Sequence, residues 1–196
     1  NGLLVVTPYY NKGNENGIYE HYKAIAEAVK IPIILYNVPS RTGVNLSISL
    51  LKKLAQIENI TALKEASGNI SYVAEVAREV PKLDIYSGND DMVVPVLSLG
   101  GKGVISVSAN IIPDINHEMV VSFLNGDMEK ARELQLKYND LVNALFLETN
   151  PVPIKEAMNF LGYEVGNCRL PLGMMEESNR AKLKDILIAH EVTGWK

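Results

Sequence analysis

Five times within the first 108 residues a short apolar run is followed by a stretch with helical spacing, and this rhythm constrains the fold more than any other feature. The runs are Leu3 to Tyr9, Ile33 to Tyr36, Ile60 to Ala66, Leu83 to Tyr86 and Gly103 to Ser108. Between them, Ile18, Tyr22, Ile25, Ala26 and Val29 recur at spacings of three and four, as do Ile48, Leu51, Leu54 and Ala55. Tyr72, Val73, Val76, Ala77 and Val80 mark a third helix, ended by Pro81, and a fourth covers Asp91 to Leu99 before Gly100-Gly101. Ser47 or Asn45 can cap the second helix. The runs are apolar almost throughout, the pattern of parallel strands covered on both faces. Repeats of roughly 20–30 residues are βα units. After Pro113 the rhythm is helical only, with helices expected over about 115–124, 128–148, 153–162 and 176–192.

Five parallel strands do not close a barrel, whereas eight do. The choice lies between an open doubly wound sheet and part of a (β/α)8 barrel. Polar residues gather at the strand C-termini, where barrel sites lie, and there is no glycine-rich strand-to-helix turn for a dinucleotide. The opening Asn1-Gly2 runs straight into Leu3-Leu4-Val5-Val6, as if about three βα units were absent. Without them the outer strands would present unpaired edges. We therefore expect an α/β chain: a partial (β/α)8 TIM barrel over residues 1–126 and a C-terminal helical region over 127–196. The net charge of −4 and the lack of a lysine/arginine block argue against nucleic acid. No apolar run reaches the ~18 residues of a membrane span, and the opening has no signal-peptide pattern. The lone Cys168 excludes an internal disulfide.

Lys64 stands inside the third apolar run, in Leu63-Lys64-Glu65-Ala66-Ser67-Gly68. Roughly one free lysine in 2,500 is neutral at pH 7. Burial and nearby cations raise that fraction, which nucleophilic attack on a carbonyl requires. The alternative is a lysine snorkelling from a strand end or paired with Glu65. Tyr36 closes the second run and can relay protons, or serve as an ordinary core tyrosine. Arg41, in the turn Pro39-Ser40-Arg41-Thr42-Gly43, can grip a carboxylate with its planar fork or lie solvated in a loop. Tyr9 and Tyr10 follow Thr7-Pro8; one can face the site and the other an interface, or both can cover a barrel rim. In Ser87-Gly88-Asn89-Asp90-Asp91, Gly88 lets backbone approach a ligand, and an aspartate can cap the next helix. An amine, a phenol and a guanidinium at one end of neighbouring strands suit imine chemistry on a small carboxylated carbonyl compound.

Other signals point nowhere. Gly100-Gly101-Lys102-Gly103 precedes a strand, whereas a phosphate cradle precedes a helix. His21, His117 and His190 are scattered, so no metal is expected. No G-x-S-x-G elbow is present. Met174-Met175 and Trp195 read as packing or tail residues.

Taken together, Val6-Thr7-Pro8-Tyr9-Tyr10, Tyr36-Asn37-Val38-Pro39-Ser40-Arg41-Thr42-Gly43, Leu63-Lys64-Glu65-Ala66-Ser67-Gly68 and Gly103-Val104-Ile105-Ser106-Val107 resemble the dihydrodipicolinate synthase family of pyruvate-dependent class I aldolases. The resemblance covers the whole chain and places barrel units four to eight here. It implies condensation of pyruvate with aspartate semialdehyde, in lysine and diaminopimelate biosynthesis, without a cofactor beyond the covalent imine on Lys64. It also implies that Tyr36 donates and accepts protons, and that Arg41 receives the semialdehyde carboxylate. Tyr10 would belong to a proton relay reaching a neighbouring subunit, Tyr9 to an interface near a lysine feedback site, and the backbone at Gly88 and Ile105 to the pyruvate pocket. Cytoplasmic homotetramers, dimers of dimers, are the implied assembly.

The family's Gly-Thr-Thr-Gly-Glu segment has no counterpart here, so the chain alone is expected to be inactive or nearly so, with the absent N-terminal segment needed as a partner. N-acetylneuraminate lyase and keto-deoxy sugar acid aldolases share the lysine and tyrosine; Arg41 favours the synthase. A non-catalytic α/β binding or scaffold protein is the reading of another class, and would not need a buried lysine.

Overall fold

The structure, a computed structural model, describes residues 1–192; Trp195 lies outside the described residues. These residues divide into two compact units, Asn1–Ile105 and a second beginning at Ser106.

The first unit carries β1 (Leu3–Val6), α1 (Glu15–Ala28), β2 (Ile33–Asn37), α2 (Pro39–Thr42), α3 (Ile48–Leu54), β3 (Ile60–Glu65), α4 (Ile70–Glu79), β4 (Asp84–Ser87), α5 (Val93–Ser98) and β5 (Gly103–Val104). All neighbouring strands pair in parallel, in the order β1-β2-β3-β4-β5. A doubly wound sheet reverses its strand order at a switch point; this sheet runs in chain order with no reversal, as in a (β/α)8 barrel. Helices α1, α3, α4 and α5 pack side by side in that same sequence.

Alternation sorts the strand residues onto two faces. Ile33, Leu35, Leu63 and Ile85 point to the helices and are buried among Leu50, Leu51, Leu54, Val73 and Val76. Burying each such side chain contributes about 1.5–3 kcal/mol. Tyr22 is fully buried in this layer, its hydroxyl donating to the Val5 carbonyl (3.2 Å). Ile34, Tyr36, Lys64 and Tyr86 occupy the other face and are only half-buried. The expectation of strands covered on both faces therefore holds for the helix side of β2, β3 and β4, while Leu3 and Val5 of β1 on that side and most residues of the other face are only partly buried.

Ser47, not Asn45, caps α3, accepting from the Leu50 N–H (3.1 Å). Gly100 takes the left-handed conformation (φ 92°) just after α5. Asp91 caps nothing: the segment opens as a 3-10 turn, Asp90–Met92, without a side-chain cap bond. The first and fifth strands are shorter than their apolar runs, because the chain turns away at Thr7 and after Val104.

The second unit is helical: α6 (Pro113–Leu124), α7 (Met128–Lys137), α8 (Asn139–Ala144), α9 (Val152–Phe160) and α10 (Glu177–Ala189). Within this unit α6 packs against α7. The single helix expected over 128–148 is broken at Tyr138, whose backbone leaves the helical range (φ −100°, ψ 8°). Asn139 and Asp140 follow, and Asp140 takes the Leu141 N–H on its own carboxylate (2.9 Å), a side-chain bond that competes with the helical ladder. No helix of the described residues is long and apolar enough to cross a membrane.

Candidate active site

The C-terminal ends of β2, β3 and β4 carry the candidate residues. Pairing β2 with β3 places Tyr36 beside Lys64, and pairing β3 with β4 places Tyr86 on the other side of Lys64. The Lys64 ammonium lies 4.4 Å from the centre of the Tyr36 ring. Glu65 points to the opposite face and bonds Asn37 and Ser67, so a Lys64–Glu65 pair is not formed.

Arg41 sits on α2, a single helical turn that sequence patterning reads as an irregular turn. Pro39 opens it with φ preset, and Gly43 ends it in the left-handed conformation (φ 68°), its N–H bonding the Pro39 carbonyl. The guanidinium is exposed at the rim, near enough that its charge acts on both Tyr36 and Lys64.

Burial lowers the Lys64 pKa from its ordinary value; Asp90 opposes this and Arg41 reinforces it. Burial raises the Tyr36 hydroxyl, with Arg41 opposing. The amine is thus moved toward its neutral form and the phenol keeps its proton at neutral pH. Asp90 is a buried acid acting on Lys64 that patterning overlooks, because Asp at a turn reads as a cap. Only its burial (3% exposed) and its effect on Lys64 distinguish it.

Gly88 follows β4, and its N–H donates to the Glu65 carbonyl (2.7 Å). A Cβ there would lie 3.1 Å from Lys64 Cε and 2.6 Å from the Ala66 Cβ. The Ile105 N–H bonds the Ser87 carbonyl (2.9 Å). Both N–H groups are therefore engaged in main-chain bonds at the strand ends. Tyr9 and Tyr10 do not join the cluster: they are 66% and 88% exposed, and Tyr10 holds a left-handed backbone (φ 65°). For a bulky residue this conformation costs on the order of 1–3 kcal/mol.

Acylation of Lys64 by an amine-selective reagent should rise with pH to a midpoint below the ordinary lysine value. Asp90→Asn should move the midpoint down and Arg41→Gln up, read by mass spectrometry of the Lys64 peptide; the reverse order would contradict the charge assignments. Between the folded and ordinary values the unfolded chain binds more protons, so this site makes stability rise with pH across that window.

Five parallel strands in chain order, with an amine and a phenol at their C-terminal ends and a guanidinium in the turn that follows, are those of part of a (β/α)8-barrel protein, and the candidate residues lie on the face where such barrels carry their sites. Residues 1–190 match the model of the dihydrodipicolinate synthetase family. The 4-hydroxy-tetrahydrodipicolinate synthase of Brachyspira hyodysenteriae is 58% identical over 185 residues, covering 94% of this chain and 63% of that protein. The crystal structure of dihydrodipicolinate synthase from Aquifex aeolicus superposes with a TM-score of 0.95 at 42% identity, covering 98% of this chain and 67% of that one. The chloride-inhibited dihydrodipicolinate synthase from Acinetobacter baumannii, complexed with pyruvate, gives 0.94 at 41% identity, covering 97% and 66%. The chain belongs to the dihydrodipicolinate synthetase family, and it spans 63% of the length of the Brachyspira relative.

Proposed function

We propose that this chain, in a barrel completed by the strands it does not contain, condenses pyruvate with aspartate semialdehyde to 4-hydroxy-tetrahydrodipicolinate through an imine on Lys64. The observation that carries the reading is the half-buried Lys64 amine beside the Tyr36 ring, its pKa lowered by burial. The neutral amine attacks the pyruvate C2 carbonyl, and the carbinolamine loses water with Tyr36 supplying the proton. The protonated imine is an electron sink, so a C3 proton leaves and the enamine carbon attacks the aldehyde. The amino group of the semialdehyde then attacks the imine carbon, closing the ring and freeing Lys64. Arg41 holds the semialdehyde carboxylate at the rim, and the backbone at Gly88 and Ile105 lines the pyruvate pocket.

No cofactor is needed, since the imine itself supplies the electron sink. A cytoplasmic homotetramer, with Tyr9 at a subunit interface and Tyr10 reaching a neighbour's site, accounts for two exposed aromatics and a left-handed backbone at Tyr10. The product belongs to lysine and diaminopimelate biosynthesis.

The test is borohydride reduction with pyruvate in the completed barrel, followed by peptide mass analysis. A pyruvyl adduct on Lys64 is expected, and an unmodified Lys64 in folded protein would overturn the reading. Arg41→Ala should keep the adduct but lower turnover with the semialdehyde at least about tenfold, as expected for loss of a charge-assisted bond of about 1.5–3 kcal/mol. Loss of the adduct in that variant would contradict the division of roles.

A further inference from the structure

Behind the reactive residues, on the helix side of the sheet, lies a buried polar network. Asn37 follows Tyr36 and Glu65 follows Lys64, and the two are register partners. They are 0% and 3% exposed. Asn37 Nδ2 donates to Glu65 Oε1 (3.0 Å) and to Asn45 Oδ1 (2.8 Å), while its Oδ1 accepts from the Leu46 N–H (3.1 Å). Glu65 Oε1 also accepts from the Ser67 N–H (2.9 Å). Tyr72, on α4, donates its hydroxyl to the Leu46 carbonyl (2.5 Å). The main chain joins in: the Asn37 carbonyl accepts from Ala66 and the Glu65 carbonyl from Gly88.

Two apolar residues at these positions would pack at least as stably, because a buried acid is costly to desolvate. Burial does push the Glu65 carboxyl up, against the bonds it receives. What the polar pair supplies is direction. Apolar side chains can slide past one another, whereas these bonds are met at one register and one separation. The charges acting on Lys64 are those of Asp90 and Arg41, not Glu65, so the network works through geometry.

We propose that Glu65 and Asn37 are positioning residues: their hydrogen bonds hold Lys64 beside Tyr36, and through Asn45 and Leu46 they anchor the loop that follows Arg41. The proposal extends the imine reading to a residue pair that touches no substrate.

The completed barrel is compared with its Glu65→Gln, Glu65→Leu and Asn45→Ala variants, each checked for folding by circular dichroism and melting. The readouts are turnover, pyruvate trapping at Lys64, and the pH midpoint of Lys64 acylation, which needs no substrate. Glu65→Gln keeps the Oε1 acceptor and should stay within about threefold of the parent throughout. Glu65→Leu should lose tenfold to about 100-fold in kcat, the scale of a misplaced reacting group, and move the Lys64 midpoint toward the ordinary lysine value. Asn45→Ala, at an exposed loop position, should keep trapping and lose about three- to tenfold in turnover. A folded Glu65→Leu with parental kcat and midpoint would overturn the proposal, as would Glu65→Gln falling as far as Glu65→Leu. Should Glu65→Leu not fold, parental turnover in Asn45→Ala is the overturning result. If the parent itself traps no pyruvate, the imine reading fails, and the Lys64 midpoints of the Glu65 variants still decide whether the network positions the amine.

Discussion

Lys64→Ala is expected to abolish the borohydride-trapped pyruvate adduct and to lower turnover at least about 10³-fold, since no other group supplies the nucleophile. The physical reason is the site rather than the residue type. A solvated lysine is almost fully protonated near neutrality, whereas Lys64 is moved toward its neutral form by burial and by Arg41. The variant should fold. Removing a cation whose charged form is on balance disfavoured in the folded state relieves a desolvation penalty at pH 7, and what is lost is the contact with the Tyr36 ring and the attraction of Asp90, which together do not offset that penalty. Stability equal to or above the parent's, together with a vanished adduct, separates a lost nucleophile from a lost fold. An adduct persisting in Lys64→Ala would place the chemistry elsewhere.

Gly88→Ala is the second large expected effect. The new methyl would sit 2.6 Å from the Ala66 Cβ and 3.0 Å from the Glu65 carbonyl oxygen, neither of which is the end of a flexible side chain. It would also press on Lys64 Cε at 3.1 Å. The strand ends cannot simply part, because the Gly88 N–H is bonded to that same Glu65 carbonyl at 2.7 Å. Overpacking of this kind costs about 1–3 kcal/mol, and a displacement near 1 Å at the reacting group costs on the order of 100-fold in rate. We expect a melting temperature several degrees lower and turnover reduced about 100-fold in the completed barrel. Parental activity in Gly88→Ala would show that the backbone here has room to spare.

The strand-and-helix rhythm was legible because burial imposes it residue by residue: Ile33, Leu35, Leu63 and Ile85 must be apolar wherever helices cover the sheet. Lys64 stood out for the same reason, as an amine in an apolar run. The two roles offered by Asn45 and Ser47 were not separable from sequence, since both types cap helices; in the structure Ser47 caps and Asn45 bonds Asn37. The burial of Asp90 and Glu65 was hidden because an acid at the end of a strand is ordinarily solvated. The break at Tyr138 was hidden because Leu134, Leu141, Val142 and Leu145 keep helical spacing across it.

Composition and spacing alone determined that the strands would be parallel, that helices would alternate with them, and which side chains carry reactive groups. They did not determine that Lys64 would meet Tyr36. The β2–β3 pairing begins with Ile33 opposite Ile60 and then skips Thr61, so that Ile34 faces Ala62 and Tyr36 faces Lys64. Without that one-residue shift Tyr36 would stand opposite Leu63, and the amine would lie one residue further along the strand. Register arises from contacts between strands distant in sequence, from the helices behind them and from the Asn37–Glu65 bond, so only the assembled sheet brings the amine and the phenol together.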